Sequence, residues 1–341
     1  MNRLHHLKQT LPKNIADNGD YPNIEFVLLD YNSSDGMEEW VKAEFKEEIN
    51  SGLVTYFKVE DVEYFDRSHS RNMMFKLATG DIICNIDADN FTGENFANYI
   101  NTVFNEKENI VLLTDTKRRY YYIRDCIGRF CAKKEDFVAI AGYDESMKGY
   151  GLEDDDLYER LLALGREETL ITDFSFLQAL KHGDEERTKN EFYTSNVHSF
   201  YVSYITPERS KVIFLYKDHT YNKGFILADN TSFVTLKIEG NVWEKGTWEE
   251  TEKGFVLVDE VAQSTIYFKE SEKIIHSKVS GHTYYKIENK AFLASLELQL
   301  PLITNKGRYL LNKENADYKV NANGFGKGKV KKNFTSELMS I

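Results

Sequence analysis

The chain has 341 residues, 41% of them hydrophobic and 13% aromatic, enough for a sizeable core and for two domains of ordinary size. Its net charge of -12 and pI near 5.3 argue against a nucleic-acid-binding face, which needs a basic footprint. No apolar run approaches a membrane span and the first residues lack the apolar core of a signal peptide, so a cytoplasmic location is expected.

From the N-terminus, residues 4–11 read as a helix that Pro12 ends. Residues 24–29 form an apolar strand ending at Asp30, and Met37, Trp40, Val41, Phe45 and Ile49 then follow helical spacing. A strand over 53–59 precedes a helix that Ser68 caps and Gly80 terminates, and residues 81–87 are the next strand. Strands alternating with helices predict a mostly parallel sheet, with ligands beyond the carboxyl ends of its strands. Asp30 and the pair Asp87 and Asp89 lie at such ends.

After about residue 205 the pattern becomes short β-like runs, at 211–216, 225–228, 232–238, 255–258 and 264–268. Residues 206–341 are therefore expected to form a small all-β accessory domain, with Pro207 near the junction and a flexible tail over 321–329. Its aromatics, such as Trp243, Trp248 and Tyr267, suit either a core or a glycan-binding face. Cys84, Cys126 and Cys131 form no CxxC motif and are odd in number, which fits reduced thiols.

Two acidic clusters carry the chemistry. Asp87-Ala88-Asp89 puts two carboxylates on one side of an extended chain, the oxygen ligands that magnesium or manganese takes alongside phosphate. The same residues also suit a turn. An EF-hand is excluded, because the sixth residue from Asp87 is Thr92 and the twelfth is Asn98. Glu153-Asp154-Asp155-Asp156 follows Gly149-Tyr150-Gly151 and opens a helix with Leu157, Leu161, Leu162 and Leu164 on its apolar side. Acids complement a helix N-terminus, but four in a row repel one another, which leaves room for a general base.

These motifs occur in order: Asp30-Tyr31-Asn32-Ser33-Ser34-Asp35, Ser70-Arg71-Asn72, Asp87-Ala88-Asp89, Gly142-Tyr143-Asp144-Glu145 and Gly149-Tyr150-Gly151-Leu152-Glu153-Asp154-Asp155-Asp156. Together, over roughly residues 1 to 200, they resemble a family 2 glycosyltransferase of the GT-A fold. The last stretch is similar to the acceptor motif of the β-1,4-galactosyltransferases and of related polysaccharide and polypeptide sugar transferases. The resemblance implies a Rossmann-like, nucleotide-sugar-binding domain over residues 1–205.

It also implies roles. Asp30 would accept a hydrogen bond from the uracil of a UDP-sugar, Arg71 would lie near the diphosphate, and Asp87 would face the ribose or the metal shell. Asp89 would bind Mn2+ or Mg2+, with His182 as a further ligand and His198 in reserve. The run Lys181-His182-Gly183 also reads as a helix end. Asp154 would be the catalytic base, Glu153 would hold the acceptor or orient Asp154, and Tyr150 would pack on a sugar. The implied reaction is inverting transfer to a glycan or other hydroxyl acceptor, in surface polysaccharide or glycoconjugate synthesis, with peripheral association to membrane-bound assembly machinery.

One departure from the family stands at the start. The family opens with a central strand ending near a turn like Met1-Asn2-Arg3, so the first strand is expected to lie upstream, about ten residues long. Two other readings compete with the transferase: a non-catalytic nucleotide-sugar or glycan-binding protein, and a two-carboxylate glycoside hydrolase.

Overall fold

The computed structural model describes residues 1–115, 124–206, 209–228, 236–238, 244–259, 264–271, 274–277, 282–314 and 319–341. It forms two compact units, one of Met1–Lys148, Leu152–His182 and Asn305–Ile341, the other of Gly149–Gly151 and Gly183–Thr304.

In chain order the first unit begins with α1 (Leu4–Asn18), β1 (Phe26–Tyr31), α2 (Met37–Glu44), α3 (Lys46–Ser51), β2 (Val54–Val59), α4 (Arg67–Leu77) and β3 (Ile82–Cys84). It continues through β4 (Asn90–Phe91), α5 (Phe96–Glu106), β5 (Ile110–Thr114), β6 (Phe130–Lys133), α6 (Lys134–Ala139), α7 (Glu153–Ala163), β7 (Glu167–Ile171) and β8 (Gln178–Ala179). Pro12 lies inside α1 and does not end it. An interior proline costs on the order of 3 kcal/mol. Side-chain anchors hold the turns beyond it: Asn14 accepts from the Thr92 N–H and donates to Asn90 O, and Asn18 accepts from the Ala97 N–H. Helix α4 is capped by Asp66, which accepts from the His69 N–H, and its C-cap is Ala78; the expected caps, Ser68 and Gly80, are displaced by two residues each.

The sheets are mixed and not mostly parallel. β1 and β2 pair in parallel, as do β5 and β7, but β6 runs antiparallel between β3 and β5. An antiparallel neighbour needs no helical crossover, so strand–helix alternation gives no sign of it. Along β5 the side chains alternate between two cores. Ile110 and Leu112 pack with Phe96, Ile100 and Phe104 of α5, whereas Val111 and Leu113 pack with Phe75 of α4 and with Leu157 and Leu161 of α7. Both faces of this sheet are thereby covered. Cys84 and Cys131 oppose each other across β3 and β6 with their thiols 3.1 Å apart.

The second unit holds α8 (Asp184–Thr188), α9 (Phe192–Asn196), β9 (Val197–Thr206), β10 (Arg209–Tyr216), β11 (Thr220–Ala228), β12 (Leu236–Ile238), β13 (Glu244–Thr251) and β14 (Gly254–Asp259). It ends with β15 (Ser264–Ser271), β16 (Ile274–Ser277), β17 (Thr283–Lys286) and the first part of α10 (Lys290–Glu314). Its sheet has nine strands, all paired antiparallel; β10 pairs with both β9 and β11, which closes a ring with β12 as an outer branch on β11. Trp248 sits in the core with Tyr201, Ile213, Leu257 and Phe268, and its indole N–H donates to Tyr216 O. Pro207, Trp243 and the Tyr267 side chain lie outside the described residues.

From Asn305 onward α10 belongs to the first unit, followed by β18 (Lys329–Lys332) and β19 (Leu338–Ser340). β18 pairs antiparallel with β2. The stretch expected as a flexible tail is bound: Asn321 donates to Ala141 O and Tyr143 O, and the Gly326 N–H donates to Glu145. Its glycines serve close approach, since a Cβ on Gly326 would meet the Asn72 carbonyl carbon at 2.8 Å.

Candidate active site

The acidic residues that follow β3 are positioned by backbone pairing on either side. Asn85, buried, donates to Asp87 at 3.3 Å and to Gly128 O at 2.9 Å. Just beyond, β4 pairs with β8, and the Leu180 N–H donates to Asp89 O at 2.8 Å. This pairing carries His182 across 93 residues of sequence to Asp89, with Nε2 and Oδ2 2.6 Å apart. The Lys181-His182-Gly183 segment is not a helix end, for no helix precedes it between β8 and α8.

Helix α4 supplies the positive charge. Arg67 and Arg71, one turn apart, face the same acids. Arg67 Nε lies 3.5 Å from Glu153 Oε1, and Arg71 Nη1 lies 3.6 Å from the same oxygen. Arg71 joins the two clusters: Nη1 donates to Asp154 Oδ1 at 2.9 Å and Nη2 to Asp87 Oδ1 at 3.1 Å. Burial by itself would raise the Asp87 carboxyl, but Arg71 and Arg67 outweigh it and hold it below its ordinary value.

Helix α7 begins after Leu152, which takes a left-handed φ of 69°, so that Glu153 turns inward and is 3% exposed. Burial, reinforced by the neighbouring Asp154 charge, pushes the Glu153 carboxyl up to about 7. Asp154 Oδ1 also accepts from the Tyr143 hydroxyl at 2.9 Å. Its Oδ2 takes no donor among the described residues and faces Gly128, where a Cβ would lie 3.1 Å from that oxygen and 3.2 Å from Arg71 Nη2. Only glycine leaves this side of the carboxylate open.

Asp30 is buried at the end of β1, accepting from the Ser33 N–H at 2.8 Å and from the Tyr56 hydroxyl at 2.7 Å. Tyr150 belongs to the second unit, where the Arg187 guanidinium lies 5.4 Å from its ring and donates to its hydroxyl at 3.3 Å. His198, also of the second unit, lies against Trp248 with the rings tilted by 41°. The structure thus gathers Arg71, Asp87, Asp89, Glu153, Asp154 and His182 within one unit. Sequence reasoning passed over Tyr143, Tyr56, Asn85 and Gly128. Tyr143 stood inside a recognised motif, but nothing local says that its hydroxyl points at Asp154.

Residues 1–120 match the family model of glycosyl transferase family 2, and residues 110–185 match that of the N-terminal domain of galactosyltransferase. Both models are of glycosyltransferases, and the chain is a glycosyltransferase. In this glycosyltransferase the first match holds Asp30, Arg71, Asp87 and Asp89, and the second holds Glu153, Asp154 and His182. The catalytic domain of Drosophila beta1,4galactosyltransferase 7 with xylobiose is similar at 19% identity, over 50% of this chain and 75% of that one, with a TM-score of 0.34. A mutant of that enzyme with manganese, UDP-Gal and xylobiose gives 17%, 50%, 75% and 0.32. GalNAc-T7 with UDP, GalNAc and Mn2+ gives 11% identity, over 85% of this chain and 78% of that one, with a TM-score of 0.40. No curated protein matches the glycosyltransferase. None of its helices, among the described residues, is long and apolar enough to cross a membrane.

Proposed function

We propose that this glycosyltransferase moves a sugar from a UDP-sugar to a hydroxyl of a glycan acceptor, with inversion at the anomeric carbon. The observation that carries the reading is Arg71, a single guanidinium hydrogen-bonded at once to Asp87 of the first acidic cluster and Asp154 of the second. It places a candidate donor-side acid and a candidate base around one cation.

Asp154 takes the proton of the acceptor hydroxyl through Oδ2, because Oδ1 already holds Arg71 and Tyr143. The hydroxyl oxygen bonds to the anomeric carbon as the bond from that carbon to the UDP diphosphate breaks, the sugar passes through a transition state of oxocarbenium character, and no covalent enzyme intermediate is required. Asp30 accepts from the uracil, Asp87 faces the ribose, Arg71 binds the diphosphate, and Tyr150 packs on a sugar face. Glu153 holds the acceptor or orients Asp154.

A divalent cation fits beside them. Three carboxyl groups, those of Asp87, Glu153 and Asp154, face the two guanidinium groups of Arg67 and Arg71, and a fourth, that of Asp89, faces His182. Asp89 Oδ2 and His182 Nε2 converge on one point, an oxygen and nitrogen donor set that suits manganese better than magnesium. Bound there, the cation would screen charge developing on the departing diphosphate.

The test is a manganese-dependent screen of UDP-sugars, scored by UDP release with and without glycan acceptors. Asp154→Asn should abolish transfer and leave UDP binding nearly intact, whereas Asp89→Ala should weaken manganese and UDP binding together. Substantial transfer by Asp154→Asn would remove Asp154 as the base, and UDP release undiminished by a chelator would remove the metal.

A further inference from the structure

Arg129 stands between Gly128, which lies against Asp154 and Arg71, and Phe130 of β6, and it is 1% exposed. Its Nη2 donates to Asn90 Oδ1 at 3.0 Å, and its guanidinium carbon lies 5.6 Å from the centre of the Phe96 ring. Nε and Nη1 have no hydrogen-bond partner among the described residues, so the one hydrogen bond of this buried cation goes to a neutral amide. A buried charge with so little compensation is costly, and packing does not account for it.

The residue that receives the bond is fixed on every side. Asn90, also 1% exposed, opens β4; its N–H donates to Asp87 O at 2.9 Å and its carbonyl accepts from Asn14 Nδ2 at 3.0 Å. Its side-chain amide has an accepting end and a donating end, and the neighbours decide which way round it sits. Arg129 has donors only and takes Oδ1. Nδ2 is thereby turned to Asp125 O, at 3.0 Å, and to Asp89 Oδ1, at 3.1 Å. With Oδ1 held in this way, Asp89 presents Oδ2 to His182 Nε2 at 2.6 Å. The reversed amide would point its oxygen at a carboxylate and a carbonyl, and would hold neither.

We propose that Arg129 is a positioning residue of the candidate metal site: acting through the Asn90 amide, it turns Asp89 so that Oδ2 faces His182. The inference rests on the reading of Asp89 and His182 as ligands and adds the two residues behind them. Outer partners of this kind fix the orientation of a ligating carboxylate. The charge of Arg129 works the other way, since a guanidinium near a cation site repels the cation. Its contribution is therefore the hydrogen bond.

The test reads binding and geometry, not turnover. Arg129→Met, Asn90→Leu and the double variant of the 341-residue chain are compared with the unchanged protein in three ways. These are manganese affinity without nucleotide, from the electron paramagnetic resonance of free Mn2+; the His182 Nε2 proton signal in the metal-free protein; and the urea midpoint. Arg129→Met should weaken manganese binding about 10- to 100-fold, as loss of an outer partner does, although removing a positive charge would by itself tighten a cation. The double variant should bind no more weakly than Asn90→Leu, and the His182 signal should move in all three. Manganese held by Arg129→Met as tightly as by the unchanged protein, with only the urea midpoint lowered, overturns the proposal in favour of a structural brace. A further loss in the double variant overturns the route through Asn90. If the unchanged protein binds no manganese, the metal reading fails by itself, and the His182 signal still decides whether Arg129 orients Asp89: a signal unmoved in Arg129→Met overturns it. Should Arg129→Met not fold, Asn90→Asp takes its place, because it gives the guanidinium a carboxylate and offers Asp89 no donor. The His182 signal should then move with the urea midpoint kept, and an unmoved signal overturns the proposal.

Discussion

Asp154 is held by its neighbours more than by its own helix. The Tyr143 hydroxyl and the Arg71 guanidinium share Oδ1, with the Arg71 guanidinium carbon 5.3 Å from the centre of the Tyr143 ring. Hydrogen bonds to charged groups contribute about 1.5–3 kcal/mol, and each 1.4 kcal/mol lost in the transition state is tenfold in rate. Tyr143→Phe should therefore lower kcat about 10- to 100-fold and change the KM for the donor little; an unchanged kcat would mean that the bond does not orient the base. Glu153 makes a second prediction. With its carboxyl raised from the ordinary 4.5 to about 7, the folded chain keeps a proton between those values that the unfolded chain has released. Stability therefore falls as pH rises from about 4.5 to 7, by linkage, and Glu153→Gln should flatten that fall. Melting curves of the two proteins across this window check it, and parallel curves would show that Glu153 is not the group responsible.

At the scale of elements, the helix that carries Arg71 depends on an N-cap outside the expected position. Asp66 accepts from the His69 N–H, so Asp66→Ala should cost about 1 kcal/mol, seen as a lower urea midpoint; no change would mean that Asp66 does not stabilise α4. Periodicity made β1, β2, α4 and α7 readable because each buries one regular stripe or alternates faces. It could not show Pro12 inside α1, whose later turns are held by Asn14 and Asn18 bonding to residues far along the chain. Nor could it show β6 lying antiparallel between β3 and β5, a choice made by tertiary pairing. For the candidate site, residue type pointed to the acids and to His182, since ionised groups stand out against an apolar background. Tyr143, inside a motif, Asn85, inside an expected strand, and Gly128 gave no local sign of their partners until folding placed them against Asp154, Asp87 and Arg71.

Across the whole molecule, the order of residues along the chain is not the order of the units. A division at residue 205 groups residues 305–341 with the β-rich part, yet these residues complete the first unit. Asp144, 1% exposed, accepts from Arg308 Nε at 2.8 Å and Asn312 Nδ2 at 3.0 Å, and Asn312 also donates to Asp156 at 2.8 Å. Burial by itself would raise the Asp144 carboxyl, but Asn312, Ser146 and Arg308 together hold it below its ordinary value. A chain ending at residue 304 would lose two of those partners, together with β18, the antiparallel neighbour of β2. Breaking a buried ion pair from one side costs about 3–5 kcal/mol, a large part of the 5–15 kcal/mol by which a domain is stable. The truncated chain should unfold at markedly lower urea and be cleaved by protease within residues 1–182, and Arg308→Ala in the full chain should reproduce part of that loss with β18 still present. A truncated chain that keeps the full-length urea midpoint would show that residues 305–341 rest on the first unit without supporting it.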